Sequence, residues 1–222
     1  MWSDIFYPDN PKRREELLRK SQEFQDLMKS NFRATNQLTD VMNEHLNCCF
    51  QHIALNESAS LKENCDVMIE CIHKIQAVVE KIDKELKEKL DPTLYEKLKV
   101  LNLSLPPEEL KGLSKAIAAV CGVEGIQATA VISILINTGD ILENLVSQIG
   151  KFGAGTFACV GLAVVFMGID MIVEAILGSV ERDKLEKALK EYDEALKEFE
   201  PASEKYQDNI TYVRMKIEEI KK

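Results

Sequence analysis

"LKENCDVMIECIHKIQAVVEKIDKELKEK", residues 61–89, is the stretch on which the fold turns. Leu61, Cys65, Met68, Ile72, Ile75, Val79, Ile82 and Leu86 advance by alternate steps of four and three. That is a heptad seam down one side of a helix. "KIDKELKEK" crowds Lys and Glu onto the opposite side, so this helix wants partners on one face only.

Upstream, "DNPKRREE" reads as a helix start, with Asn10 at the N-cap, Pro11 at N1 and Glu15 and Glu16 soon after. Its seam runs through Phe24, Met28, Leu38, Met42, His45 and Cys49, with Asn31 and Thr35 as polar interruptions on the same face. "ALNESASLKEN" ends that run, and Ser60 with Glu63 makes a capping box for the next helix. A turn over residues 54–60 gives an antiparallel hairpin. It pairs Cys49 with Cys65, Leu46 with Met68, Met42 with Ile72 and Leu38 with Ile75.

Downstream, "DPTLY" stops and restarts the chain at Asp91 and Pro92, and "NLSLPPEEL" precedes a short helix beginning near Pro107. From Glu181 a second heptad seam takes over. It is Leu185, Leu189, Tyr192, Leu196, Phe199, Ser203, Tyr206, Ile210, Val213, Ile217 and Ile220. Pro201 falls inside this helix and predicts a kink near 197–201.

Between the seams the composition changes. From Ala116 to Val180 the only basic residue is Lys151, and the acids are Glu124, Asp140, Glu143, Asp170 and Glu174. "GIQATAVISILINTG" and "FGAGTFACVGLAVVFMGI" carry no charge. The second is about 27 Å long as a helix, at the margin of a hydrocarbon core of about 30 Å. Its small face, Ala154, Ala158, Gly161, Val165 and Gly168, has the spacing by which helices approach closely inside lipid. Phe152 and Ile169 bound it, and this block is the expected membrane segment.

The expected fold is therefore all-α: an antiparallel long-helix bundle or coiled coil with a central apolar, hairpin-like segment. Three regions follow: 1–115, a coiled-coil hairpin with short helices; 116–180, the apolar membrane-type segment; and 181–222, a coiled-coil helix packing on the first. A hairpin of Ala116–Gly139 and Phe152–Ile169, turning near "GDILENLVSQIGK", would return the chain to its starting side and let the seams join. It would leave Asp140 and Glu143 at the far headgroups.

A formal charge of -9 argues against nucleic acid and against a basic grip on anionic lipid. Membrane affinity must then come from apolar burial. No continuous apolar run opens the chain, so no signal peptide is expected, the bulk of the protein is expected in the cytosol, and the cysteines are expected as thiols. Of the sequons at Asn56, Asn102 and Asn209, none is expected to be glycosylated without such a signal.

His45, Cys49, His52 and, through the hairpin register, Cys65 form the one cluster with donors for a tetrahedral metal. The plainer reading is seam positions filled by small or semi-polar residues, so no metal, cofactor or catalytic residue is expected. His73 has no nucleophile forced near it, and the glycines at 150–155 lack a phosphate-binding context.

"FYPDNPKRREE", "LKENCDVMIECIHKIQ", "LDPTLYEKL", "GIDMIVEAILGSVE" and "SEKY" resemble the family of single-pass membrane and coiled-coil domain-containing protein 3. The resemblance covers most of the chain and is weakest over 100–150. It implies a membrane protein with coiled-coil segments and one span, here roughly Phe152 to Val173, and no reaction. The leading expectation is a noncatalytic, bilayer-associated coiled-coil protein for self-association or partner binding. The alternatives are a conditionally inserting, pore-forming-like or membrane-remodelling protein with its apolar hairpin buried, and a soluble helical scaffold.

Overall fold

The computed structural model describes residues 9–100, 105–123, 125–153 and 181–221. Among them are seven helices: α1 Asn10–Leu46, α2 Leu61–Lys89, α3 Pro92–Lys99, α4 Pro107–Cys121, α5 Ile126–Ile136, α6 Gly139–Gly153 and α7 Glu181–Lys221. The protein is an all-α helical bundle.

Helix α1 begins one residue earlier than expected, since Asn10 is already helical and Arg13 N–H donates to Asp9 C=O at 3.0 Å, whereas the starts of α2 and α3 follow the chemistry of their first residues. Ser60 N–H donates to Glu63 Oε2 at 2.7 Å, and Glu63 N–H donates to Ser60 Oγ at 3.2 Å, a closed capping box at the head of α2. Asp91 accepts from Leu94 N–H at 3.0 Å ahead of Pro92. Helix α7 continues through Pro201 without a break, although that residue cannot donate to the preceding turn.

Two compact units divide the chain. The first takes Met1–Phe32, Ala54–Glu70 and Asn144–Glu204, and the second takes Arg33–Ile53, Cys71–Glu143 and Lys205–Lys222. Each draws on all three regions expected from composition.

In the first unit α1 and α7 run in the same direction. Arg13 pairs with Glu186 at 2.8 Å, Lys20 with Asp193 at 2.6 Å, and Asn31 Nδ2 donates to Ser203 Oγ at 2.9 Å. Both numbers in each pair rise together. Leu17, Phe24, Met28, Leu61, Cys65, Met68, Leu185, Tyr192, Leu196 and Phe199 are buried here. In the second unit the same sense holds, because Thr35 Oγ1 meets Tyr206 Oη at 2.7 Å and Glu44 meets Lys221 at 3.5 Å. Its core includes Leu38, Met42, Ile72, Ile75, Ile82 and Leu86, with Val79 half-buried. The α7 seam is buried except at Leu189 and Ile220, which are half-buried. The polar interruptions of the α1 seam thus meet Ser203 and a tyrosine hydroxyl on α7.

The connection after α1 departs from expectation. Helix α1 ends at Leu46, Asn47 turns left-handed at φ 56°, and residues 47–60 form a loop twice as long as the turn read from sequence. Three asparagines bracket it. Asn43 accepts Phe50 N–H and donates to Phe50 C=O, Asn36 does the same with Ile53, and Asn64 with Asn56, all at 2.8–2.9 Å. Each asparagine gives a loop residue the donor and acceptor that a neighbouring strand would otherwise supply.

Candidate membrane-active region

Helix α5, "IQATAVISILI", is apolar all round, and Ala128 to Leu135 are buried without interruption. A helix with no polar face must be covered on every side. In the second unit α3 and α4 pack against it. Its few polar groups are closed off locally. Ser133 Oγ donates to Leu98 C=O, Thr129 Oγ1 to Gly125 C=O at 3.1 Å, and Thr138 Oγ1 to Leu135 C=O at 2.7 Å. Asn137 Nδ2 reaches Lys99 C=O at 2.7 Å, tying the end of α5 to that of α3.

Glycines make the joint with α4. Gly122 caps α4 at φ 71°, and Gly125 stands at φ 134°, ψ 163°, a conformation open in practice only to glycine. The chain bends by 76° here. The first arm of the expected hairpin, Ala116–Gly139, is therefore the end of one helix and the whole of a second. Among the described residues no single helix is long and apolar enough to cross a membrane; α4 and α5 together have the length and composition, but across that bend. At about 1.5 Å per residue α5 reaches only about 16 Å, roughly half a hydrocarbon core.

The expected turn, "GDILENLVSQIGK", is helical too. In α6 the buried residues Leu142, Leu145, Ile149 and Phe152 recur every three or four positions, with Asp140 and Glu143 exposed. Segregation along a helix explains how acids sit between two apolar blocks without a turn. In the second unit Asp140 and Glu143 line an open groove of about 210 Å³ with Gln76, Glu80, Asp83 and Leu135. Asp83 accepts from Tyr95 Oη at 2.6 Å. Burial and that bond push the Tyr95 phenol up to about 12.

Phe152, expected at the start of the membrane segment, closes the core of the first unit. It is 2% exposed. Its ring stacks on Phe24 at 4.1 Å, meets Phe199 edge-on at 5.2 Å and lies 6.4 Å from Tyr192. Beside it Lys151 pairs with Glu198, and that cation holds the Glu198 carboxyl below the usual range. Tyr192 is fully buried, and among the described residues its hydroxyl has no hydrogen-bond partner; burial drives the phenol well above its ordinary value. The rest of the expected segment, Ala154, Ala158, Gly161, Val165, Gly168 and Ile169, lies outside the described residues.

The candidate metal cluster does not assemble. With α1 ending at Leu46, His45, Cys49 and His52 no longer share a helix face. Cys49 is exposed, His52 pairs with Asp40 at 2.6 Å, and Cys65 is buried in the other unit. Among the described residues no group of three or more His, Cys, Asp or Glu is placed to hold a metal. Cys48, Cys49, Cys65 and Cys121 form no disulfide among the described residues. Burial pushes Cys65 up to about 12 and Cys121 up to about 11, which keeps both protonated and poorly nucleophilic.

The class of protein defined by this geometry is an all-α bundle with one uncharged, predominantly apolar helix packed against amphipathic ones. A family model matches residues 13–172, and the chain belongs to that family, DUF4533, described as protein of unknown function. No solved structure matches it.

Proposed function

We propose that this is a noncatalytic, membrane-associated helical protein that gives its apolar central sequence to a lipid bilayer. The uncharged run Phe152–Ile169 carries the reading, since at about 27 Å it suits little else than a core or a bilayer. The Cys65 and Cys121 thiols, which burial keeps protonated, suit a protein without chemistry of its own.

Of constant anchoring and conditional insertion, the aromatic cluster favours the second. A straight span over Phe152–Val173 would put Glu181 across a bilayer about 40 Å thick with its headgroups. In the first unit Phe152 is 6.4 Å from Tyr192, and about 16 Å of helix leads from there back to Glu181. The flanks thus stay within about 25 Å, and a span forms only after Phe152 leaves Phe24 and Phe199. Self-association through the helices belongs to the same proposal and is read by light scattering at two concentrations.

Flotation of detergent-free protein with phosphatidylcholine–phosphatidylserine vesicles tests the function. Wild type is expected to float in part and Phe199→Ala, whose cluster is loosened, to float more. Protein that stays in the dense fraction in both forms would overturn the reading, and equal, complete flotation of both would restore the constant anchor.

A further inference from the structure

The chain has three histidines, so its response to mild acid rests on few side chains. His73 is exposed, and His52 is 62% exposed beside Asp40. His45 differs. It stands in the last turn of α1 with 9% exposure, in the second unit. Its Nε2 is 3.6 Å from Glu44 Oε1, and that same oxygen is 3.5 Å from Lys221 Nζ in the last turn of α7. A buried imidazole and an ammonium thus converge on one carboxylate oxygen that joins the ends of two parallel helices.

We propose that His45, Glu44 and Lys221 form an acid-sensitive clamp between the C-terminal ends of α1 and α7. With His45 neutral, Glu44 is left to Lys221 and the helix ends are tied. Protonation sets two cations on one carboxylate and puts a charge on a ring removed from water, and both changes favour release.

The charged groups acting on the ring are Glu44 from its own helix and Lys221 from α7. Burial is the largest influence and lowers the affinity of His45 for a proton; Glu44 opposes it, and Lys221 adds to it. The folded chain therefore binds this proton less readily than the unfolded chain, whose histidines titrate near 6.5. The contribution of His45 to stability is full above that value and declines as pH falls from it toward the lower folded value. This inference stands apart from the membrane reading and needs no lipid.

Urea unfolding of the full chain, followed by circular dichroism at pH 7.5 and 5.5, tests it. The wild-type midpoint is expected to be lower at pH 5.5. His52→Gln keeps that drop, His45→Gln abolishes it, and Lys221→Gln, at a half-exposed helix end where folding is safe, reduces it. A wild-type midpoint equal at both values, or a full drop in His45→Gln, overturns the clamp. Should His45→Gln fail to unfold cooperatively, Lys221→Gln decides, because an undiminished drop there overturns it as well.

Discussion

Two tyrosines two heptads apart on α7 show how much a single atom contributes. Tyr192 and Tyr206 are both buried seam residues, at 0% and 1% exposure. The Tyr206 hydroxyl meets Thr35, whereas the Tyr192 hydroxyl has no partner among the described residues. A buried polar group without a hydrogen bond costs about 1–3 kcal/mol. Tyr192→Phe removes that penalty while keeping the ring beside Phe152, so the urea midpoint is expected to rise. Tyr206→Phe should instead lower it, by about 0.5–1.5 kcal/mol for the lost bond. If Tyr192→Phe destabilises, the hydroxyl has a partner and the account of this core is wrong. Phe199→Ala, which strips a ring from contact with both Phe24 and Phe152, is expected to cost about 3–5 kcal/mol in the same measurement. Heptad spacing made each of these positions legible as buried. It could not show that Tyr206 finds Thr35 while Tyr192 finds nothing, because periodicity reports a face and says nothing of what sits opposite.

At the scale of elements, local chemistry was legible wherever a side chain bonds its own backbone. Ser60 and Glu63, and Asp91 with Pro92, begin helices where the sequence places them. The end of α1 was misread because apolar spacing continues past it to Cys49. Asn47 carried the missed signal, asparagine being among the few residues other than glycine that readily accept a left-handed conformation. The reciprocal bonds of Asn36, Asn43 and Asn64 were invisible for another reason: they join residues 7, 8 or 17 apart, and no helical repeat encodes them. The glycine joint offers the test at this scale. Nothing lies within 4 Å of a Cβ built on Gly122 or Gly125, so substitution meets a backbone cost alone. Gly125→Ala should cost about 1–3 kcal/mol because its φ and ψ suit only glycine. Gly122→Ala, in the milder left-handed region, should cost about 1 kcal/mol. Equal losses in thermal or urea unfolding would mean that the α4–α5 corner has room to relax.

For the whole molecule the proposed membrane association raises one decisive question, which side of a bilayer receives α7. Composition sets 116–180 apart from its flanks in sequence, but apolar content alone cannot separate a helix packed in protein from one packed in lipid. Ala128–Leu135 proved to be the former. In the first unit α7 lies along α1 through Arg13–Glu186, Lys20–Asp193 and Asn31–Ser203. Carrying α7 across a bilayer would break every one of these contacts and drag a 41-residue helix, densely charged, through hydrocarbon. Each charged residue at the centre of a span costs about 2.5–3.5 kcal/mol even on the lenient insertion scale, so transfer of the whole helix is prohibitive for protein added from one side. Insertion is therefore expected to leave both flanks where they started. When protein is added to sealed vesicles and trypsin is supplied outside, α1, α2 and α7 should all be digested, with protection confined to a fragment between Lys151 and Arg182, the cleavage sites on either side of the uncharged run Phe152–Ile169. A protected fragment that extends through Lys221 would place α7 inside the vesicle, establish a single-pass topology, and require that the paired arrangement of α1 and α7 belongs only to the lipid-free protein.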